Sequence, residues 1–167
     1  MTDKTLHQKC KTELELMYLP RPASSYRGSY PLHFEKHVKR LLETEDYIHV
    51  FSGNAKTGLR IDLKFETKPD VVASAEYLPF RDEVFSGAKA DPPYSEEFAK
   101  QLYNTPYPQW SKWTKELVRV TKIGGKIAIM HNYPVPRISK CKWKKLVVII
   151  QRIKQFCKVI TIQERVI

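Results

Sequence analysis

Asp91-Pro92-Pro93-Tyr94, preceded by Phe85-Ser86-Gly87-Ala88-Lys89-Ala90 and followed by Ser95-Glu96-Glu97-Phe98, is the most constrained stretch of this chain. Two consecutive prolines neither continue a helix nor pair in the middle of a sheet, so the tetrapeptide reads as a stiff turn. The turn holds a carboxylate and an aromatic ring at fixed spacing. Residues 84–90 read as a short strand, and Ser95-Glu96-Glu97-Phe98 as a helix start. A rigid strand-to-helix turn at the carboxyl edge of a sheet is where open α/β folds place their chemistry. An Asp-Pro-Pro sequence can also be a turn and nothing more, so the neighbours decide.

Outward from the turn, the pattern alternates strands with helices. Residues 47–51, 59–63, 69–74, 126–131 and 159–162 are rich in β-branched and aromatic residues and read as strands. Phe34, Val38, Leu41 and Leu42 recur at helical spacing within residues 32–42, as do Trp110, Trp113, Leu117 and Val120 within 110–121. Residues 2–17 and 142–156 are expected to be helices, the second basic on one side, and Gly124-Gly125 is expected to stop the helix before it. This order argues a mostly parallel α/β sheet in a single domain, with N-terminal helices and a loop over residues 1–42 and the core over 47–167. Residues 51–58 leave no room for the dozen or more residues of an ordinary parallel crossover, which leaves the geometry of that part open.

The chain of 167 residues suits one domain with a real core. Its 29 Lys and Arg against 18 Asp and Glu give a formal charge of +11, which suggests a polyanionic partner, most simply nucleic acid; a solvated, Lys-rich surface is the competing reading. Cys10, Cys141 and Cys157 are far apart and odd in number, with no Cys/His cluster, so no metal site is expected. Free thiols fit a reducing cytoplasm. No apolar run approaches the roughly 20 residues of a membrane span, and residues 1–11 are too polar for a secretory signal.

Asp91-Pro92-Pro93-Tyr94 resembles the catalytic motif of class I S-adenosylmethionine-dependent methyltransferases that modify exocyclic amino groups, the N6-adenine and N4-cytosine type. Other residues fall in the family's order. Phe51-Ser52-Gly53 is similar to the start of its cofactor loop, with Ala55 where a further glycine is usual. Asp62, nine residues past Gly53, matches the acid that holds the ribose hydroxyls. Ser74-Ala75 stands where the family reads the adenine amino group, with Ser in place of the common Asp. Leu78-Pro79-Phe80 follows in register, eleven residues before Asp91; Leu78 and Phe80 also suit core anchors. Tyr30, Pro31 and Phe34 resemble the segment covering the methionine end of the cofactor, or else a staple closing the chain onto its core.

The resemblance implies a Rossmann-like three-layer fold, mostly parallel with helices on both faces and shortened around its first crossover and at its C-terminal hairpin. Only one terminal strand is legible; either that hairpin is lost or a strand hides in residues 142–156. It also implies S-adenosylmethionine as cofactor. Asp91 and the Pro92 carbonyl would accept from the target amine, Pro93 would stiffen the turn, and Tyr94 would stack on the base. Substrate contacts are expected from Tyr107 and from the basic residues Arg137, Lys140 and Lys142, which equally suit a solvated helix face. The expected activity is methylation of adenine N6 or cytosine N4 in DNA or RNA. RNA guanine N2, a protein amide and a non-catalytic methyltransferase-like subunit are the alternatives. A duplex substrate would need its base flipped, and no stretch of the chain is large enough for a separate recognition domain. A homodimer or a partner subunit would then supply target recognition.

Overall fold

The alternation Leu14-Glu15-Leu16-Met17-Tyr18-Leu19 and the run Leu146-Val147-Val148-Ile149-Ile150 account for the largest departure from the sequence reading. Both are strands. The computed structural model describes residues 12–22, 29–151 and 157–167. β1 (Glu13–Leu19) replaces the expected N-terminal helix in its described part, and β7 (Cys141–Gln151) replaces the expected basic helix. The remainder of both expected helices, the loop residues 23–28 and Cys10 lie outside the described residues. The physical reason is shared. Period-two alternation buries Met17 and Leu19 of β1 and Val147 and Ile149 of β7 on one face, and in β7 the β-branched side chains add their preference for a pleated surface. A helix would have scattered them.

Between these strands the chain forms α1 (Phe34–Leu42), β2 (Tyr47–Val50), β3 (Leu59–Asp62), a single 3-10 turn, β4 (Val71–Val72), β5 (Phe85–Ala90), α2 (Glu96–Tyr103), α3 (Trp110–Val120) and β6 (Thr121–His131); β8 (Lys158–Arg165) is the last strand. One eight-stranded sheet results, in the order β1-β7-β8-β6-β5-β2-β3-β4. Among the described residues, β8 alone runs against its neighbours, β6 and β7. The C-terminal hairpin is therefore present, contrary to the expectation of a shortened end, and β1 extends it by pairing in parallel with β7.

Helices lie on both faces. Phe34, Val38, Leu41 and Leu42 of α1 pack on Ala128, Met130, Ile160 and Ile162. Trp113, Leu117, Val118 and Val120 of α3 pack on Ile48, Val50, Ile61, Ile127 and Ile129 across the sheet. Each of those fully buried side chains is worth roughly 1.5–3 kcal/mol of transfer free energy. Gly124-Gly125 does not end α3. The helix passes straight into β6 at Thr121, and both glycines lie within the strand. A Cβ on Gly125 would meet the Ser86 carbonyl at 2.7 Å, so the close approach of β5 to β6 requires glycine there.

The compressed connection is resolved as parallel. β2 and β3 pair in parallel although only residues 51–58 join them, with no helix between. Left-handed backbone at Phe51, Gly53 and Gly58 folds the chain back within that length. Gly58 has φ +76°, and a Cβ there would lie 2.4 Å from the Tyr47 ring.

Candidate active site

The strand order reverses between β2 and β5, which pair in parallel with Val50 opposite Ala90. The loop leaving β2 and the turn leaving β5 consequently open at the same carboxyl edge. This is the switch point at which open α/β sheets bind ligands.

On the β5 side, Pro92 and Pro93 are buried and Asp91 and Tyr94 half-buried. Ser95 caps α2, its hydroxyl accepting from the Phe98 N–H at 3.1 Å. That cap fixes where the turn ends and the helix begins. The Tyr94 hydroxyl donates to Asp91 Oδ1 at 2.5 Å and accepts from the Lys158 ammonium. Burial and the Asp91 charge hold the Tyr94 hydroxyl well above its ordinary pKa, so it stays a neutral donor. Around the Tyr94 ring stand Phe98, nearly parallel at 6.1 Å, and His131, edge-on at 5.0 Å. Lys158 Nζ sits over the ring, 4.3 Å from its centroid.

On the β2 side, Asp62 is buried, 2% exposed. Its Oδ2 accepts from the Gly53 N–H at 2.8 Å and its Oδ1 from the Lys64 N–H at 2.9 Å. The acid therefore ties the turn after β2 to the end of β3. Phe51, Asp62, Ser74, Ala75, Pro93 and Tyr107 line one cavity of about 270 Å³, close to the lower end of ordinary small-ligand pockets at roughly 300 Å³. The Ser52 hydroxyl is buried without a hydrogen-bond partner among the described residues. A buried hydroxyl in that condition suits a polar ligand. A concave apolar space with two acceptor side chains, Asp62 and Ser74, fits an adenosine-bearing cofactor, and the Ser52 hydroxyl stands just behind its lining residue Phe51. Ala55, where a glycine was expected, is itself buried and accommodated, its N–H donating to the Ser52 carbonyl at 3.0 Å.

Other expected residues fall elsewhere. Leu78 belongs to the core, its N–H held by the Glu116 carboxylate at 2.8 Å, and does not line the cavity. Tyr30 lies against His49 and Lys89, its hydroxyl 2.9 Å from His49 Nε2, and stands outside the cavity. Pro31, buried next to it, accepts from the Phe34 N–H at the start of α1. Tyr107, expected on the substrate, lines the cavity with Asp62 and Ser74. Arg137, Lys140 and Lys142 are at the far edge of the sheet. Lys142 is in register with Glu164, and Glu164 with Lys126, whereas Ala90 is in register with Ile129. Several residues of strand, roughly 3.3 Å each, separate them from Asp91. Lys142 is paired with Glu164 at 3.1 Å, while Arg137 and Lys140 border a separate groove of about 500 Å³ beside α3.

Sequence reasoning missed Lys89, His49, Lys158 and His131. Lys89 carried a signal, a lysine inside an otherwise small and apolar strand. The other three come from distant strands and gave none. His131 is 3% exposed, and its Nδ1 has no partner among the described residues. Burial lowers its pKa, so the ring is neutral and can meet a polar edge of a substrate.

No protein-family model matches the chain, and no curated protein matches it by sequence. Solved structures do match in fold. TrmN from Thermus thermophilus is 16% identical, with a TM-score of 0.61 over 84% of this chain and 50% of its own. A SAM-dependent methyltransferase from Methanosarcina mazei is 12% identical, with a TM-score of 0.53 over 74% of this chain and 94% of its own. An rRNA methylase from Streptococcus thermophilus is 13% identical, with a TM-score of 0.50 over 83% and 98%. The chain spans about half the length of the Thermus protein. At these identities the likeness is one of fold. The fold is the Rossmann-like α/β fold of class I methyltransferases.

Proposed function

We propose that this chain is an S-adenosylmethionine-dependent methyltransferase that modifies an exocyclic amino group of a nucleic-acid base. The observation that carries the reading is the Asp91-Pro92-Pro93-Tyr94 turn, seated at the switch point beside a cavity lined by Asp62 and Ser74. Asp62, Ser74 and the Ser52-Gly53 backbone would hold the adenosine half of the cofactor, and the cofactor would supply an activated methyl group. An exocyclic amine is a poor nucleophile, because its lone pair is delocalised into the ring. Acceptors placed on both of its N–H bonds favour a pyramidal nitrogen and offset the charge that develops there. Asp91 and the Pro92 carbonyl are the acceptors. Transfer then depends on holding the amine in line with the methyl group, and the prolines keep that geometry rigid. His131 and Tyr94 border the space where the base would lie.

The formal charge of +11 favours a polyanionic substrate. RNA is the form of nucleic acid we favour, in keeping with the shared fold of an rRNA methylase. The test is a methyl-transfer panel with labelled cofactor against DNA and RNA, with Asp91→Ala as control. Transfer to RNA that vanishes in the variant is expected. Cofactor binding in calorimetry without transfer to any nucleic acid overturns the reading.

A second reading has one observation in its favour, the eight-residue loop that stands where a longer cofactor loop and helix are usual. On that reading the chain is a methyltransferase-like subunit whose site a homodimeric or other partner completes. Calorimetry separates the two: the isolated chain binds the cofactor on the first and fails to on the second.

A further inference from the structure

Beneath Asp91 the protein buries a cation that the chemistry above does not use. Lys89 stands two residues before Asp91, so strand alternation sends both side chains to the same face of the sheet. It is 2% exposed. Its Nζ lies 3.1 Å from His49 Nε2 and 3.5 Å from the centroid of the Tyr30 ring.

The hydrogen bonds here are directional. His49 Nδ1 is 3.3 Å from the Thr57 carbonyl, which can only accept, so the imidazole hydrogen sits on Nδ1 and Nε2 is an acceptor. Burial, with Lys89 beside it, pushes the His49 pKa well below its ordinary value, which keeps that neutral form. Two donors converge on the Nε2 lone pair, Lys89 and the Tyr30 hydroxyl at 2.9 Å. Tyr30 has one proton, which burial and the nearby Asp91 charge hold on its hydroxyl. The single Nε2 lone pair accepts from one donor at a time, so the Lys89 ammonium competes with the Tyr30 hydroxyl for it.

The charge on Lys89 is finely balanced. Burial pushes its pKa down to about 7, against Asp91 and Glu35 of α1, which hold the proton on, and with Lys158 of β8, which opposes it. Among the described residues, His49 of β2 and Tyr30 are the other titratable neighbours, and β6 presents Ala128 and Met130. A methionine would fill the space without an electrostatic cost, so packing alone gives no reason for a lysine.

Resting on the reading of Asp91 as the acceptor for the amine, we propose that Lys89 is a positioning residue: its ammonium, on His49 Nε2, turns the Tyr30 hydroxyl toward the Asp91 carboxylate and offsets that charge, so that transfer follows the charge of a lysine solvent does not reach. The test is the pH profile of Lys89→Met between pH 5.5 and 9. Below pH 7 the variant is expected to lose about tenfold to a hundredfold in kcat, the scale of a slightly misplaced reacting group. KM for cofactor and nucleic acid stays close to the wild-type value. Above pH 8 the gap closes, because the wild-type amine is then neutral too. An equal loss at every pH, or a loss confined to KM, overturns the proposal and leaves Lys89 a packing residue. A second measurement needs no activity: the titration of Lys89 followed by carbon NMR on labelled lysines, in the wild type and in Asp91→Asn. Removing the carboxylate is expected to move the titration to lower pH; an unmoved titration overturns the coupling. A moved titration in a protein that transfers no methyl group supports the coupling and overturns the reaction assigned to Asp91.

Discussion

The two loops that meet at the switch point are held in opposite ways. The turn after β5 is stiff by its own sequence: two prolines fix the backbone, Ser95 caps the helix that follows, and Tyr94 reaches back three residues to Asp91. The loop after β2 has little stiffness of its own. Its shape comes from elsewhere, from the Asp62 carboxylate on β3 gripping the Gly53 N–H and from the Tyr47 ring filling the space a Cβ on Gly58 would need. The first loop can be recognised in isolation, whereas the second makes sense only with its neighbours in place. On the proposed function, chemistry that depends on a fixed acceptor would sit on the locally encoded loop, and cofactor binding, which tolerates more adjustment, on the other.

That contrast can be broken by substitution. Asp91→Ala is expected to leave the fold intact and lower transfer by about 10²–10³-fold or more, the range found for losing one acceptor or donor aimed at developing charge. Asp62→Ala should do the opposite. It removes the charged acceptor of the Gly53 and Lys64 N–H groups, worth about 1.5–3 kcal/mol, and calorimetry should show cofactor affinity reduced by roughly tenfold to a hundredfold. If Asp62→Ala binds the cofactor as wild type does, the β2 loop is self-supporting and the contrast fails.

Stability measurements sharpen the comparison. A group whose native pKa lies below its unfolded value leaves the unfolded chain holding more protons between the two values, so stability rises with pH across that window. For Lys89 the window runs from about 7 in the folded protein up to 10.5. Lys89→Met is therefore expected to stabilise the protein by on the order of 3 kcal/mol at pH 6–7, with the gain shrinking as the pH rises toward 10. Urea titrations at several pH values check it. Gly58→Ala should cost about 1–3 kcal/mol through its left-handed backbone and the Tyr47 contact. The smallest effect is expected at the far edge of the sheet: Lys142→Ala breaks a half-exposed pair with Glu164 and should change stability by less than about 1 kcal/mol.

The parts of the fold that were legible share one property, a signal contained within a dozen residues. The spacing of Phe34, Val38, Leu41 and Leu42 gave α1 and its buried face, and the strand leading to Asp91 was plain. Residues 142–150 were misread because Lys142, Lys144 and Lys145 suggested a basic helix face, while the β-branched run that follows them outweighs that suggestion once β1 and β8 are there to pair with it. β1 was misread for a different reason. Its alternation is only seven residues long, and its partner lies 132 positions away, Glu13 against Lys145.

The sequence by itself determined the stiff turn, the acid that opens it and the order of elements around it, because proline geometry and side-chain periodicity act between near neighbours. Tertiary structure alone decided what surrounds that turn. It brought Lys158 onto Tyr94 from 64 residues away and stacked Lys89, His49 and Tyr30 beneath Asp91. It also sent Arg137, Lys140 and Lys142 to the opposite edge. Those placements follow from strand order and register in a closed-packed sheet, in which moving a strand by one position turns its side chains to the other face. No local pattern specifies that choice.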